Sequence, residues 1–154
     1  SAAILFIIAA GNLMGYSLEV DNIPSRVAAA VLSWTSSKEL IILLLLAVMI
    51  AVGCLMEATA AITIFTPVMM SIVTAIGMDP LHFGLVFCIM MTIALITPPV
   101  GMLLFVTSNI SKIELTRLNK AILPFCVAAF IVTFSLAFLP DVALFLPRLF
   151  GYGV

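Results

Sequence analysis

Two short stretches of this chain carry residue types that can do chemistry in an apolar setting. The first is Thr97-Pro98-Pro99-Val100-Gly101. Consecutive prolines delete two backbone donors, which in a helix would have bonded the carbonyls of Ala94 and Leu95. The residues ahead of each proline, Thr97 and Pro98 itself, are also pushed out of the α region. The pattern predicts a broken helix with two freed acceptors. A half-helix over 81–96 ends in a partial negative charge, and hard cations prefer oxygen ligands. A sodium ion held mainly by carbonyl oxygens is the chemistry on offer. The second stretch is Gly53-Cys54-Leu55-Met56-Glu57-Ala58-Thr59-Ala60-Ala61, in which Glu57 is the one charged residue between Glu39 and Asp79. Glu57 has two compatible roles. It can cap a helix starting near Ala58, or it can touch a solute or ion directly. The N–H groups at that helix start suit an anionic group.

The elements that position these residues are set by composition. Of 154 residues, 65% are hydrophobic and 8% charged, against roughly 25% charged in soluble domains. Six Lys/Arg and seven Asp/Glu cannot cover a water-exposed surface. A soluble enzyme, a nucleic-acid binder and a disordered regulator are excluded, and the expected solvent is the lipid bilayer. The charges are also segregated. Uncharged stretches run through 1–18, 40–56, 58–78, 80–111 and 121–140.

Other reactive side chains read as structural. His82, beside the Asp79-Pro80 turn, is expected at the membrane interface rather than as a proton carrier. Cys54, Cys88 and Cys126 form no CxxC pair and are expected to be buried, inert thiols, so that Cys126→Ala should do little. No HExxH, GxSxG or paired-carboxylate pattern favours an enzyme.

Along the chain, 1–15 reads as the end of a transmembrane helix. No cleavable signal pattern opens it, and the start in mid-hydrophobe suggests a fragment. Residues 16–37 read as an interfacial amphipathic connector, with Pro24 at a helix start and Ile23, Val27, Val31 and Trp34 at helical spacing. Residues 38–80 read as a re-entrant helical hairpin with its tip near 53–60. The apolar run 40–52 would reach only about 20 Å as a helix, short of the membrane thickness. Gly77 is expected to end the second arm. Residues 81–111 read as a discontinuous transmembrane helix broken at 97–101, and 112–120 as a loop. Residues 121–154 hold a last transmembrane helix and an amphipathic tail. Lys112, Arg117 and Lys120 place 112–120 in the cytoplasm and both ends of 38–80 outside. Two full crossings over 38–80 would give the same sides. The short arm before Gly53 is what favours the hairpin.

The combination of Gly53 to Ala61, Pro67, Gly77-Met78-Asp79-Pro80, His82-Phe83-Gly84, Thr97-Pro98-Pro99-Val100-Gly101, Phe105-Val106 and Pro124-Phe125 resembles the C-terminal part of the large membrane subunit of tripartite ATP-independent periplasmic (TRAP) transporters. The resemblance implies an all-α integral membrane fold. It would be the second inverted repeat of an elevator-type ion transporter in the bacterial inner membrane. It implies sodium-coupled import of an organic acid, of C4-dicarboxylate or sialic acid type. The partners it implies are a periplasmic substrate-binding protein, a small membrane subunit (separate or fused) and the N-terminal half of the large subunit. It maps the sodium site onto Gly53, Ala94, Thr97 and Val100, and substrate binding onto Glu57, Thr59 and Pro98. The family usually has glycine where Ala94 stands and aspartate where Glu57 stands.

Two other functions remain open on the residues alone. A carrier coupled to protons through Glu57 would lose transport in Glu57→Gln and depend steeply on pH. A non-transporting membrane scaffold would carry an unbroken helix through 90–105.

Overall fold

The computed structural model describes residues 2–35, 37–98 and 101–151, and every regular element among them is helical. α1 spans Ala2–Val20, α2 Ile23–Trp34, α3 Lys38–Leu55 and α4 Ala58–Ala75. α5 spans Pro80–Ala94, α6 Met102–Ser111 and α7 Leu115–Phe138, followed by the short α8, Pro140–Ala143, and α9, Phe145–Leu149. Among the described residues, α3, α4 and α7 are long and apolar enough to cross a membrane.

The local signals account for most boundaries. α4 stops in a Schellman turn, in which Gly77 N–H donates to the Thr74 carbonyl at 3.1 Å and Met78 N–H to the Val73 carbonyl at 3.0 Å. Gly77 adopts φ +63° there, which glycine accepts without strain. Met78 and Val73 are both buried, supplying the apolar contact that accompanies this turn. Asp79 then caps α5, its Oδ1 accepting from Leu81 and His82 N–H at 2.8 and 3.0 Å, with Pro80 in the first turn.

Three boundaries differ from the sequence reading. α1 continues past residue 15 to Val20, since no proline or backbone strain interrupts it before Asn22, which adopts a left-handed φ of 53°. α7 begins at Leu115, so the basic connection is mostly helical and only Lys112, Ile113 and Glu114 separate α6 from α7. α3 runs through Gly53 to Leu55, 18 residues or about 27 Å. Its length alone therefore does not separate a re-entrant arm from a crossing.

α3 and α4 form a closed antiparallel hairpin. Met56 and Glu57 are the only residues between them. At the open end Lys38 Nζ donates to the Gly77 carbonyl at 3.2 Å, so the hairpin starts and finishes on one side. α5 leaves from that same side and runs parallel to α3. The core lies where α3, α4 and α5 meet, with Leu46, Met49, Val73, Val86, Met90 and Met91 buried at its centre. Phe83 and Phe87 stack there with ring centroids 5.4 Å apart. α2 buries Pro24 and Ala28 and packs on α4, leaving Trp34 exposed. α1 approaches α4 closely, since a Cβ at Gly11 would stand 2.7 Å from Thr63 Cγ2. Small residues permit such approach in lipid, where dispersion rather than water exclusion holds helices together.

Candidate functional site

Four helix termini converge at the closed end of the hairpin. α3 and α5 end there, and α4 and α6 begin there. α3 and α5, being parallel, bring two carboxyl ends side by side. Gly53, in the last turn of α3, is buried against Ala94, the last residue of α5. A Cβ at Gly53 would stand 2.5 Å from Ala94 Cβ and 3.3 Å from Met91 Sδ, so only glycine fits. The sequence reading thus placed two of its proposed ligands in residues that touch, though Gly53 lies inside α3 rather than at the turn itself.

Among the described residues no hydrogen bond reaches the Gly53 carbonyl. Among the described residues, the two carbonyls expected to be freed by the prolines each accept one hydrogen bond. Thr97 N–H donates to Ala94 at 3.1 Å, and Leu103 N–H reaches across the break to Leu95 at 3.2 Å. Each keeps a second lone pair. Thr97 Oγ1 donates to the Ile93 carbonyl at 2.7 Å, which leaves its own lone pairs available. Gly101 opens α6 in a left-handed conformation, φ 37°, with no side-chain cap. Pro98 sits half-buried in the turn. Val100, and Pro99 beside it, lie outside the described residues. Backbone carbonyls at two negative helix ends, a hydroxyl oxygen, and no intervening side chain at Gly53 make a donor set suited to a hard monovalent cation.

Glu57 caps α4. Its Oε2 accepts from Ala60 N–H at 3.0 Å and its Oε1 from Thr59 Oγ1 at 2.9 Å. The positive end of α4, expected to receive an anionic group, therefore already holds this carboxylate. Among the described residues no hydrogen bond joins Glu57 or Thr59 to Thr97 or Pro98.

His82, in the first turn of α5, is 3% exposed, and its Nε2 donates to the Leu136 carbonyl on α7 at 2.8 Å. Cys54 and Cys126 are buried, but Cys88 is exposed on α5. Cys126 also makes a contact that its spacing gave no hint of, its Sγ lying 3.6 Å from the Ile96 carbonyl at the break.

A cavity of about 330 Å³, lined by Lys38, Asp79, His82, Arg148, Ile42 and Phe138 among others, opens at the other end of the hairpin, away from the break.

Comparison with known proteins places this geometry in context. The family described as tripartite ATP-independent periplasmic transporter, DctM component, matches residues 1–142. The chain is 34% identical to the uncharacterized protein YgiK of Salmonella typhimurium over 151 residues, 98% of this chain and 35% of that one. It is 32% identical to the isethionate TRAP transporter permease protein DctMQ of Oleidesulfovibrio alaskensis, covering 94% of this chain and 23% of that one. It is 34% identical to the C4-dicarboxylate TRAP transporter large permease protein DctM of Pseudomonas aeruginosa, covering 96% of this chain and 35% of that one. The chain thus spans between 23% and 35% of the length of these curated relatives. With the apolar helices already described, a match over nearly its whole length makes this a multi-pass membrane protein: the chain belongs to the family of the DctM component of tripartite ATP-independent periplasmic transporters.

Proposed function

We propose that this chain is the second-repeat part of a sodium-coupled importer of organic acids in the bacterial inner membrane. The solute is a carboxylate of C4-dicarboxylate or sialic acid type, handed over by a periplasmic substrate-binding protein. A small membrane subunit, separate or fused, and the N-terminal half of the large subunit complete the machine. The names of the relatives, one an isethionate and one a C4-dicarboxylate transporter, support an organic anion as cargo.

One observation carries the sodium reading. Gly53 and Ala94 touch, so the carboxyl ends of two parallel helices meet in an apolar surrounding. Each end carries about half a negative charge. The positive starts of α4 and α6 lie at the same end, but the Glu57 carboxylate on α4 leaves the group net negative, which a cation offsets. The carbonyls of Gly53 and Ala94, Thr97 and, from the family resemblance, Val100 are the groups that would hold it. Binding there draws α3 and the α5 end together and fixes the hairpin turn and the 95–101 turn. The first turn of α6, together with Glu57, Thr59 and Pro98, then meets the solute in one arrangement only. Coupling follows because the solute binds well only to the sodium-ordered form. In the membrane, 38–80 is a re-entrant hairpin with its turn at mid-depth, where unwound backbone survives under a cover of protein or water. The hairpin and broken helix travel together in an elevator-type displacement.

Two observations weigh against the other functions. Both carboxylate oxygens of Glu57 are engaged in capping, which is the task of a fixed charge rather than of a proton carrier. A scaffold has no need of the interruption between Ala94 and Met102.

The test is uptake of radiolabelled organic acid by the full-length protein, reconstituted with its small subunit and binding protein. Uptake is expected to require sodium and to stop when choline replaces it. Equal uptake in both salts would refute the coupling.

A further inference from the structure

α5 and α7 lie side by side in opposite directions, and a side-chain-to-backbone hydrogen bond joins them at each end. At one end His82 Nε2 donates to the Leu136 carbonyl at 2.8 Å. At the other, the Cys126 thiol donates to the Ile96 carbonyl at 3.6 Å. Cys126 is 1% exposed, and Ile96 is half-buried.

The Ile96 carbonyl shares one rigid peptide plane with the Thr97 N–H. That N–H is the donor to the Ala94 carbonyl at 3.1 Å. The single peptide unit 96–97 is therefore gripped on both sides, by Cys126 through its oxygen and by Ala94 through its nitrogen. Rotating it to release one contact misaligns the other. The geometry points to Cys126 as a positioning residue: by holding the 96–97 peptide, its thiol aims the Ala94 carbonyl at the cation and makes α7 a determinant of sodium affinity. This role rests on the cation site proposed above. It also reverses the expectation, drawn from spacing alone, that Cys126 is inert.

A thiol is a weak donor, so the effect is modest, about threefold on sodium affinity, in the range of one weak hydrogen bond. Cys126→Ala removes the donor, Cys126→Ser keeps one, and Cys88→Ala alters an exposed thiol on α5 outside the site. In the full-length transporter, Cys126→Ala is expected to raise the half-saturating sodium concentration about threefold. The KM for solute at saturating sodium should stay unchanged. Cys126→Ser should restore the parent value, and Cys88→Ala should match it. Amide exchange at Ile96 and Thr97, measured without sodium, should be faster in Cys126→Ala than in the parent. Unchanged exchange, an unchanged sodium requirement, or failure of serine to rescue would each overturn the positioning role. A parent transporter indifferent to sodium would overturn the cation site instead, and with it the claim on sodium affinity. The sodium-free exchange comparison would still decide whether the thiol grips the peptide.

Discussion

Gly53 and Ala94 are 41 positions apart in sequence, yet a Cβ at Gly53 would come within 2.5 Å of the Ala94 Cβ. This contact fixes how closely the ends of α3 and α5 approach. Gly53→Ala must push them apart. An overpacked site of this kind costs about 1–3 kcal/mol. The same change at Gly84, where an added Cβ has no neighbour within 4 Å, should be neutral or stabilise by up to about 1 kcal/mol through helix propensity. Only Gly53→Ala should lower the thermal unfolding midpoint of the purified protein, and only Gly53→Ala should lose sodium-dependent uptake.

Glu57 tests capping against proton carriage. Glu57→Ala removes the acceptor for Ala60 N–H and Thr59 Oγ1, at about 1 kcal/mol of stability. Glu57→Gln keeps one oxygen and should unfold close to the parent temperature. With a capping acid, the pH profile of any uptake that remains in Glu57→Gln follows the parent's. A profile flattened by that substitution would restore the proton-coupled carrier.

The break depends on missing donors, so Pro98→Ala should repair part of it. The new N–H at 98 competes for the Ala94 carbonyl, which now accepts from Thr97. Uptake in Pro98→Ala should need several-fold more sodium while expression and folding are kept. Unaltered sodium dependence would separate the cation site from the prolines.

Two hydrogen bonds close the opposite end of the molecule, and burial ranks them. Lys38 is exposed where it bonds Gly77, so Lys38→Met should cost no more than about 1 kcal/mol. His82 is 3% exposed, and His82→Ala both opens a cavity and removes one of the two donors to the Leu136 carbonyl, which keeps Leu139 N–H at 3.3 Å, for about 2–4 kcal/mol. The difference is read as two unfolding midpoints. A larger loss at Lys38 would contradict it.

What the sequence disclosed followed from chemistry carried in a few adjacent residues. Pro98 and Pro99 announce the end of α5, Gly77 with Asp79-Pro80 announces the turn into α5, and Glu57 announces the start of α4. Each acts on donors within four positions of itself. Gly53 does not itself end α3, because one glycine costs a helix only about 1 kcal/mol and α3 continues through it to the turn at Met56 and Glu57. Its importance is steric and belongs to Ala94. The freed carbonyls were legible as freed, but not as re-bonded. The partner of Leu95 is Leu103, beyond the break, and becomes available only when the chain doubles back. The contacts of His82 and Cys126 were not legible for a similar reason. Their partners lie 54 and 30 positions away, and no periodicity links a side chain to a distant carbonyl.

The central claim is that sodium joins the end of α3 to the broken end of α5. Amide hydrogen exchange of the full-length transporter, compared in sodium and in choline, addresses it directly. Sodium alone should slow exchange in two separate peptides together, one covering 53–60 and one covering 94–103, with little change over α7. Exchange that is the same in both salts, or slowed in only one of the two peptides, would contradict a cation shared between them.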